Sequence, residues 1–357
     1  MKRILFIARA YPHVSHTYIN NDIEHLAQHA DVLVLSPNKP MAPWYSPIEC
    51  NYFQDKGELI AQARQFKPDF IIALMLPNHH WAREVSSELK IPFALKLHTS
   101  DYHLLYPSNR NIKNHIKETI AEYILTDKKR SDHYRVSKYS LRKTVNAEHF
   151  MGAFCIPVFK EYFSAFIPLS KLFNLTPRIF FDQFHDENIN GKKIIALGSL
   201  VSRREGKYFL NGIFKYFVEP VDWYAVPTPG VLSGDIQDVP DNFSIKKYVP
   251  NHDMPNLYKK YKALLILPGN NKFVRGLPMS ILEAQASGVS VIAPSLRPDF
   301  DDFVIKGGGY LYNDVSEIQA ILNLIPNDER RNMGFEHAKK FDIKGLTEEL
   351  SLAGLNL

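Results

Sequence analysis

The chain has 357 residues, more than a single hydrophobic core of roughly 250–300 residues supports, so two domains are expected. Hydrophobic residues make up 45% and charged residues 23%, which excludes a disordered or low-complexity chain. The net charge of +5 is a mild excess that suits a surface facing phosphate or anionic lipid, and two cysteines, Cys50 and Cys155, exclude a disulfide framework and fit a reducing interior.

The first apolar run, Arg3 to Ala8, has the length of a buried strand. It is too short for a signal-peptide core, and Tyr11-Pro12-His13 supplies no small-residue cleavage site. No run reaches the length of a membrane span, so any membrane contact is expected to be peripheral. A helix opens near Ser15 or Thr17, with Ile19, Ile23, Leu26 and Ala27 at helical spacing. Val32–Leu35 reads as a strand, 59–66 as a helix, Phe70–Leu76 as a strand, 81–89 as a helix and 93–97 as a strand. Buried strands alternating with amphipathic helices predict a parallel sheet covered on both faces.

The alternation blurs after Phe159. The stretch 161–190 reads as a partly helical connection between domains, with Phe159, Tyr162, Phe163, Phe166 and Phe173 as interdomain core. A second alternation follows: strand 194–197, helix 207–217, strands 223–226 and 263–267, a helix after Pro278, strand 289–293 and a terminal helix over 345–352. The expected fold class is α/β, two Rossmann-like domains facing each other across a cleft. The expected bounds are 1–165 for the first, 166–342 for the second, and a terminal helical segment 343–357 packing back on the first.

Open parallel sheets bind ligands beyond the carboxyl ends of their strands. The strongest such loop runs from Gly276 through Leu277, Pro278 and Glu283 to Gly288. Pro278 suits the first helical position, and Gly288 suits the left-handed residue past the helix end. The amides of Gly276 and Leu277, with the helix dipole, form an anion site, and Glu283 can accept hydrogen bonds from a pair of hydroxyls. The same residues also suit a plain capped surface helix with Glu283 in solvent.

The run Gly-Leu-Pro…Leu-Glu-Ala-x-Ala-Ser-Gly-Val-x-Val-Ile-Ala resembles the family-four retaining glycosyltransferases of the GT-B fold. Tyr11 to Ile19 with Asp22 to Leu26, His98-Thr99-Ser100-Asp101, Tyr134 to Ser137 and Gly198-Ser199-Leu200 to Gly206 follow the same pattern in the same order. The resemblance implies a metal-independent hexosyl transfer from a nucleoside-diphosphate sugar (UDP or GDP) to a glycan or lipid-linked acceptor. Bacterial surface polysaccharide or lipopolysaccharide assembly is its setting, in the cytoplasm or at the inner face of the membrane.

It also implies roles. Glu283 would hold the ribose hydroxyls, and Gly276, Leu277 and Pro278 would meet the diphosphate. Val249 would read the base, Ser15 would open the helix pointing at the donor, and His98 and Asp101 would lie near the transferred sugar. Three departures stand out: Arg275 replaces a family Glu, Ser199 an Arg, and Glu205 a Lys. Arg203, Arg204, Lys207 and Lys272 are nearby cations that can substitute, and Arg275 itself can grip the diphosphate or a sugar carboxylate. The departures keep two alternatives open: a non-catalytic glycosyltransferase-like subunit that supports a partner enzyme, and a GT-B epimerase or phosphorylase.

Other signals are weaker. Lys207 is followed by Tyr208, which excludes a Walker A loop, and there is no Gly-x-Gly-x-x-Gly. Gly307-Gly308-Gly309 reads as a tight turn. Eleven of the fourteen histidines precede residue 150, but no ligand set accompanies them, so no metal is expected. Trp44, Tyr45, Tyr52 and Phe53 are assigned to a long loop, either lining an acceptor site or packing in the core. Lys128, Lys129, Arg130, Arg135, Lys138, Arg142 and Lys143 form a basic segment that suits an anionic membrane or a solvated helix face. No nucleic-acid-binding motif accompanies it, so no nucleic-acid partner is expected.

Overall fold

The computed structural model describes residues 1–12, 16–39, 46–98, 101, 138–199, 218–226, 241–267 and 277–355. The chain forms two compact units: residues 1–13, 19–176 and 345–357, and residues 14–18 and 177–344.

In the first unit the elements are β1 (Arg3–Ile7), α1 (Thr17–Leu26), β2 (Asp31–Ser36), β3 (Cys50–Tyr52), α2 (Lys56–Phe66), β4 (Phe70–Leu74), α3 (His79–Leu89), β5 (Phe93–Lys96), α4 (Lys138–Val145), β6 (Phe150–Cys155), α5 (Lys160–Ser164) and β7 (Leu172–Asn174). The seven strands pair in parallel in the order β3-β2-β1-β4-β5-β6-β7. Central strands buried on both faces must be apolar throughout, and β4, Phe-Ile-Ile-Ala-Leu, is buried at every position. Asp55 caps α2 by accepting from the Glu58 amide, and α2 and α3 end on left-handed Lys67 and Lys90.

In the second unit they are α6 (Phe181–Phe184), β8 (Lys193–Ser199), β9 (Val221–Val226), β10 (Phe243–Lys247), α7 (Met254–Tyr258), β11 (Tyr261–Leu265), α8 (Met279–Ala286), β12 (Ser290–Pro294), α9 (Pro298–Lys306), β13 (Tyr310–Tyr312), α10 (Ile318–Leu322) and α11 (Asp328–Lys339). Its six strands are parallel in the order β10-β9-β8-β11-β12-β13. One core cluster joins Ile195, Leu264 and Val291 to α8; the other joins Ala196, Trp223 and Leu265 to Ile318 and Leu322 of α10. The Gly307–Gly309 turn is present: Gly308 has φ +68°, and a Cβ there would lie 2.0 Å from the Arg330 carbonyl.

The last helix, α12 (Leu346–Leu352), lies in the first unit. Leu346 and Leu350 are buried, and the Glu349 carboxylate accepts from the Thr176 amide and hydroxyl.

Several expectations are corrected. The first unit runs to residue 176 rather than 165, because β7 adds a seventh strand to its sheet. Phe173 packs tilted against Phe154 at 5.6 Å and Phe163 is fully buried, both within this unit, while Tyr162 is 40% exposed. Tyr52 ends a strand rather than lying in a loop, and its hydroxyl donates to the Tyr11 carbonyl. Phe53 is core, edge-on to Trp81 at 5.4 Å. Trp44, Tyr45 and the helix expected over 207–217 lie outside the described residues.

Candidate functional site

In each sheet the strand order reverses at one point, between β1 and β4 in the first unit and between β8 and β11 in the second. Loops that leave the sheet there diverge to opposite faces and open a crevice at the strands' carboxyl ends. In the second unit the chain leaves β8 after Ser199 and β11 after Leu265. In sequence Arg203 and Arg204 follow β8, and Lys272, Arg275 and Gly276 follow β11. All five lie outside the described residues, as do the Ser199 side chain and Ser15.

The next described helix in the chain is α8. Its burial overturns the surface-helix alternative: every residue except Ser280 is buried, Glu283 to 5% exposure. Pro278 is the N-cap, with φ −67° and ψ 130°, not the first helical residue. The chain enters the helix extended, and the Pro278 carbonyl accepts the first turn's hydrogen bond from Ile281. The start shifts by one, so the amides of Met279 and Ser280 are the ones that precede the intrahelical ladder. Gly288 takes φ +71° past the helix end, the left-handed position its spacing predicts.

Glu283 is buried with one hydrogen-bond partner. The Tyr258 hydroxyl, from the last residue of α7, donates to its Oε2 at 3.0 Å. Burial pushes the carboxyl up from its ordinary value to about 7, and the Tyr258 hydrogen bond partly opposes that rise. Val249 and Leu277 pack against the same core cluster that contains Met279, Ile281 and Leu282. Leu277 and Pro278 thus lead into α8, which carries Glu283, and Val249 packs against the core cluster that the helix shares.

In the first unit His98 and Asp101 close one turn at the exit of β5. The His98 amide donates to Asp101 Oδ2 at 2.7 Å, and the Asp101 amide donates to the His98 carbonyl at 2.9 Å. One Asp101 oxygen, Oδ2, is taken by the His98 amide, and Oδ1 has no hydrogen-bond partner among the described residues. The side chain is fully buried, and burial raises its carboxyl to about 7. It closes the turn at the β5 exit, while His98 stays half-buried there.

Two features of this unit have no counterpart in the sequence reading. Lys96, ending β5, forms an ion pair with Asp22 of α1, their side chains 13% and 8% exposed. A lysine closing an apolar strand is the signal that announces a buried partner. Met75, just past β4, has φ 68° and ψ 149°, a region that side-chain-bearing residues rarely enter. Its amide donates to the Lys96 carbonyl at 2.9 Å and its carbonyl accepts from Asn78, which holds it there. Among the described residues no group of three or more His, Cys, Asp or Glu is placed to hold a metal ion, and no helix is long and apolar enough to cross a membrane.

Residues 236–341, less than a third of the chain, match the family model described as glycosyl transferases group 1. No curated protein sequence matches the chain significantly. Among solved structures the chain is similar to Anabaena HepE in complex with UDP, at 13% identity with both chains fully covered and a TM-score of 0.71. A complex of the same protein with UDP-glucose gives 0.68. Sucrose-phosphate synthase from Thermosynechococcus elongatus gives 0.69 at 13% identity, over 99% of this chain and 98% of that one. The lipopolysaccharide outer core galactosyltransferase WaaB gives 0.58 at 12% identity, over 98% of both. The fold is GT-B, built from two Rossmann-like α/β units.

Proposed function

We propose that this protein is a retaining glycosyltransferase that moves a hexosyl group from a nucleoside-diphosphate sugar to a glycan or lipid-linked acceptor. The observation that carries this reading is the buried Glu283, held by Tyr258 in the helix that follows β11 at the second unit's switch point and inside the segment that matches group 1 glycosyl transferases. A buried carboxylate that no cation neutralises among the described residues suits a neutral partner with two hydroxyls, which a ribose supplies. The amides of Met279 and Ser280 with the α8 dipole suit the diphosphate. In the transfer, the acceptor hydroxyl bonds to the anomeric carbon as the diphosphate leaves with the bonding pair. The hydroxyl's proton passes to the departing diphosphate oxygen. Cations and helix dipoles stabilise that leaving group without a metal.

UDP is the favoured carrier, because the similar HepE structures hold UDP and UDP-glucose. GDP is the alternative. Surface polysaccharide or lipopolysaccharide assembly is the proposed setting, at the cytoplasmic face of a membrane.

A panel of UDP- and GDP-sugars, screened by calorimetry and by slow donor hydrolysis, tests the reading. Binding of one donor with hydrolysis or transfer supports it. Binding of none of them leaves the non-catalytic subunit, which the departures at Arg275, Ser199 and Glu205 favour. Interconversion of a free nucleotide sugar without acceptor points to the epimerase.

A further inference from the structure

We propose that Tyr258 is a positioning residue that holds Glu283 in the one orientation in which its carboxylate receives the ribose diol of a nucleotide. The proposal rests on the reading of Glu283 as the ribose ligand. Tyr258 is itself fully buried, and it is fixed from two sides. Its ring meets Phe184 of α6 in a T-shaped contact at 6.2 Å. Its backbone is pinned through the next residue: Lys259 Nζ donates to the carbonyls of Asp186, Asn188 and Ser287, at 3.0, 2.7 and 3.3 Å. Ser287 is the residue that ends α8, so one lysine ties the end of α7 to the end of the helix that carries Glu283.

The hydroxyl of a ring held this way has little freedom. It reaches Glu283 Oε2 at 3.0 Å, with the Ser280 carbonyl at 3.4 Å as its other acceptor. A carboxylate has about four lone-pair sites, and one hydrogen bond leaves room for two more donors. Tyr258 takes one oxygen, so the diol is directed to Oε1. The same bond favours the ionised form, which alone accepts from both hydroxyls. Loss of Tyr258 therefore has two consequences: the carboxylate gains rotamer freedom, and it needs a higher pH to ionise.

The test uses the full chain and titrates UDP, GDP and ADP with their 2′-deoxy counterparts. The wild type is expected to prefer the ribo form by about tenfold or more, the worth of one hydrogen bond to a charged group. In Tyr258→Phe, which keeps the ring packed, most of that preference is lost and the pH midpoint of nucleotide binding moves upward. Glu283→Asp, which draws the carboxylate back from the hydroxyl, loses the preference as well. A ribo preference that survives Tyr258→Phe but is lost in Glu283→Gln overturns the positioning role and leaves the ribose site standing. A preference that survives Glu283→Gln overturns both, as does the absence of binding by all three nucleotides. A purely structural role for Tyr258 lowers the melting temperature without moving the ribo-to-deoxy ratio.

Discussion

Asp22 on α1 and Lys96, at the end of β5 and two residues before His98, neutralise each other in a nearly dry environment. Burying two charges is costly, and their attraction offsets that cost only while both are present. Asp22→Asn removes one charge of the pair and is expected to destabilise the first unit by about 3 kcal/mol. For a unit of this size that lowers the melting midpoint by roughly 10 °C. The double variant Asp22→Leu/Lys96→Met removes both charges and is expected to regain most of the loss. A single variant that melts with the wild type shows that water already screens the pair.

Met75 makes the opposite prediction. Its φ of 68° with ψ of 149° costs about 1–3 kcal/mol for a residue with a Cβ, and glycine pays about 1 kcal/mol of extra chain entropy on folding. Met75→Gly is therefore expected to stabilise by about 1 kcal/mol, and Met75→Val, β-branched at the same backbone angles, to destabilise. Urea unfolding of the three proteins checks both signs. A glycine variant less stable than the wild type means that the half-buried methionine side chain, not the backbone, decides the position.

Two buried carboxyls, Asp101 and Glu283, are raised to about 7 by burial, from ordinary values of 3.8 and 4.5. At a pH between the ordinary and raised values the folded chain binds more protons at these groups than the unfolded chain does. Their contribution to stability is then full below about pH 4 and is lost as pH rises towards 7. Above pH 7 both states are ionised and the contribution is flat. Asp101→Asn and Glu283→Gln keep the shape but abolish the titration. The wild-type-minus-variant difference in melting temperature should therefore fall between pH 4.5 and 7 and level off above it. A difference that stays constant over that range means the carboxyls are ionised throughout.

The buried parallel strands were legible because double burial demands apolar runs: Arg3–Ile7, Phe70–Leu74 and Tyr261–Leu265 stand within three residues of their expected ends. The edge strands β3, β7, β10 and β13 were not, because three to five residues with one open side carry no readable period. The helix start at α8 was legible to within one residue, from Pro278 and Gly288. What no spacing reveals is orientation. The string His98-Thr99-Ser100-Asp101 does not say that the aspartate turns inward and is fully buried, nor does Glu283 announce a tyrosine 25 residues upstream. Both depend on tertiary contacts that local pattern does not encode.

The basic segment offers one prediction that its described end already supports. α4 turns Leu141, Thr144 and Val145 inward, with His79 Nδ1 in a 2.7 Å hydrogen bond to Thr144 Oγ1, and leaves Arg142 and Lys143 exposed in its last turn. Lys128 to Arg135 lie outside the described residues. A lysine or arginine near an anionic bilayer contributes about 1 kcal/mol at moderate salt. Arg142→Ala/Lys143→Ala should therefore weaken binding to phosphatidylserine or phosphatidylglycerol vesicles by roughly 30-fold, with no change on neutral vesicles. Raising salt to about 0.5 M should bring the wild type to the same level, because the Debye length then falls below the reach of a side chain. Equal sedimentation of both proteins with anionic vesicles at low salt would assign Arg142 and Lys143 to an ordinary solvated helix face.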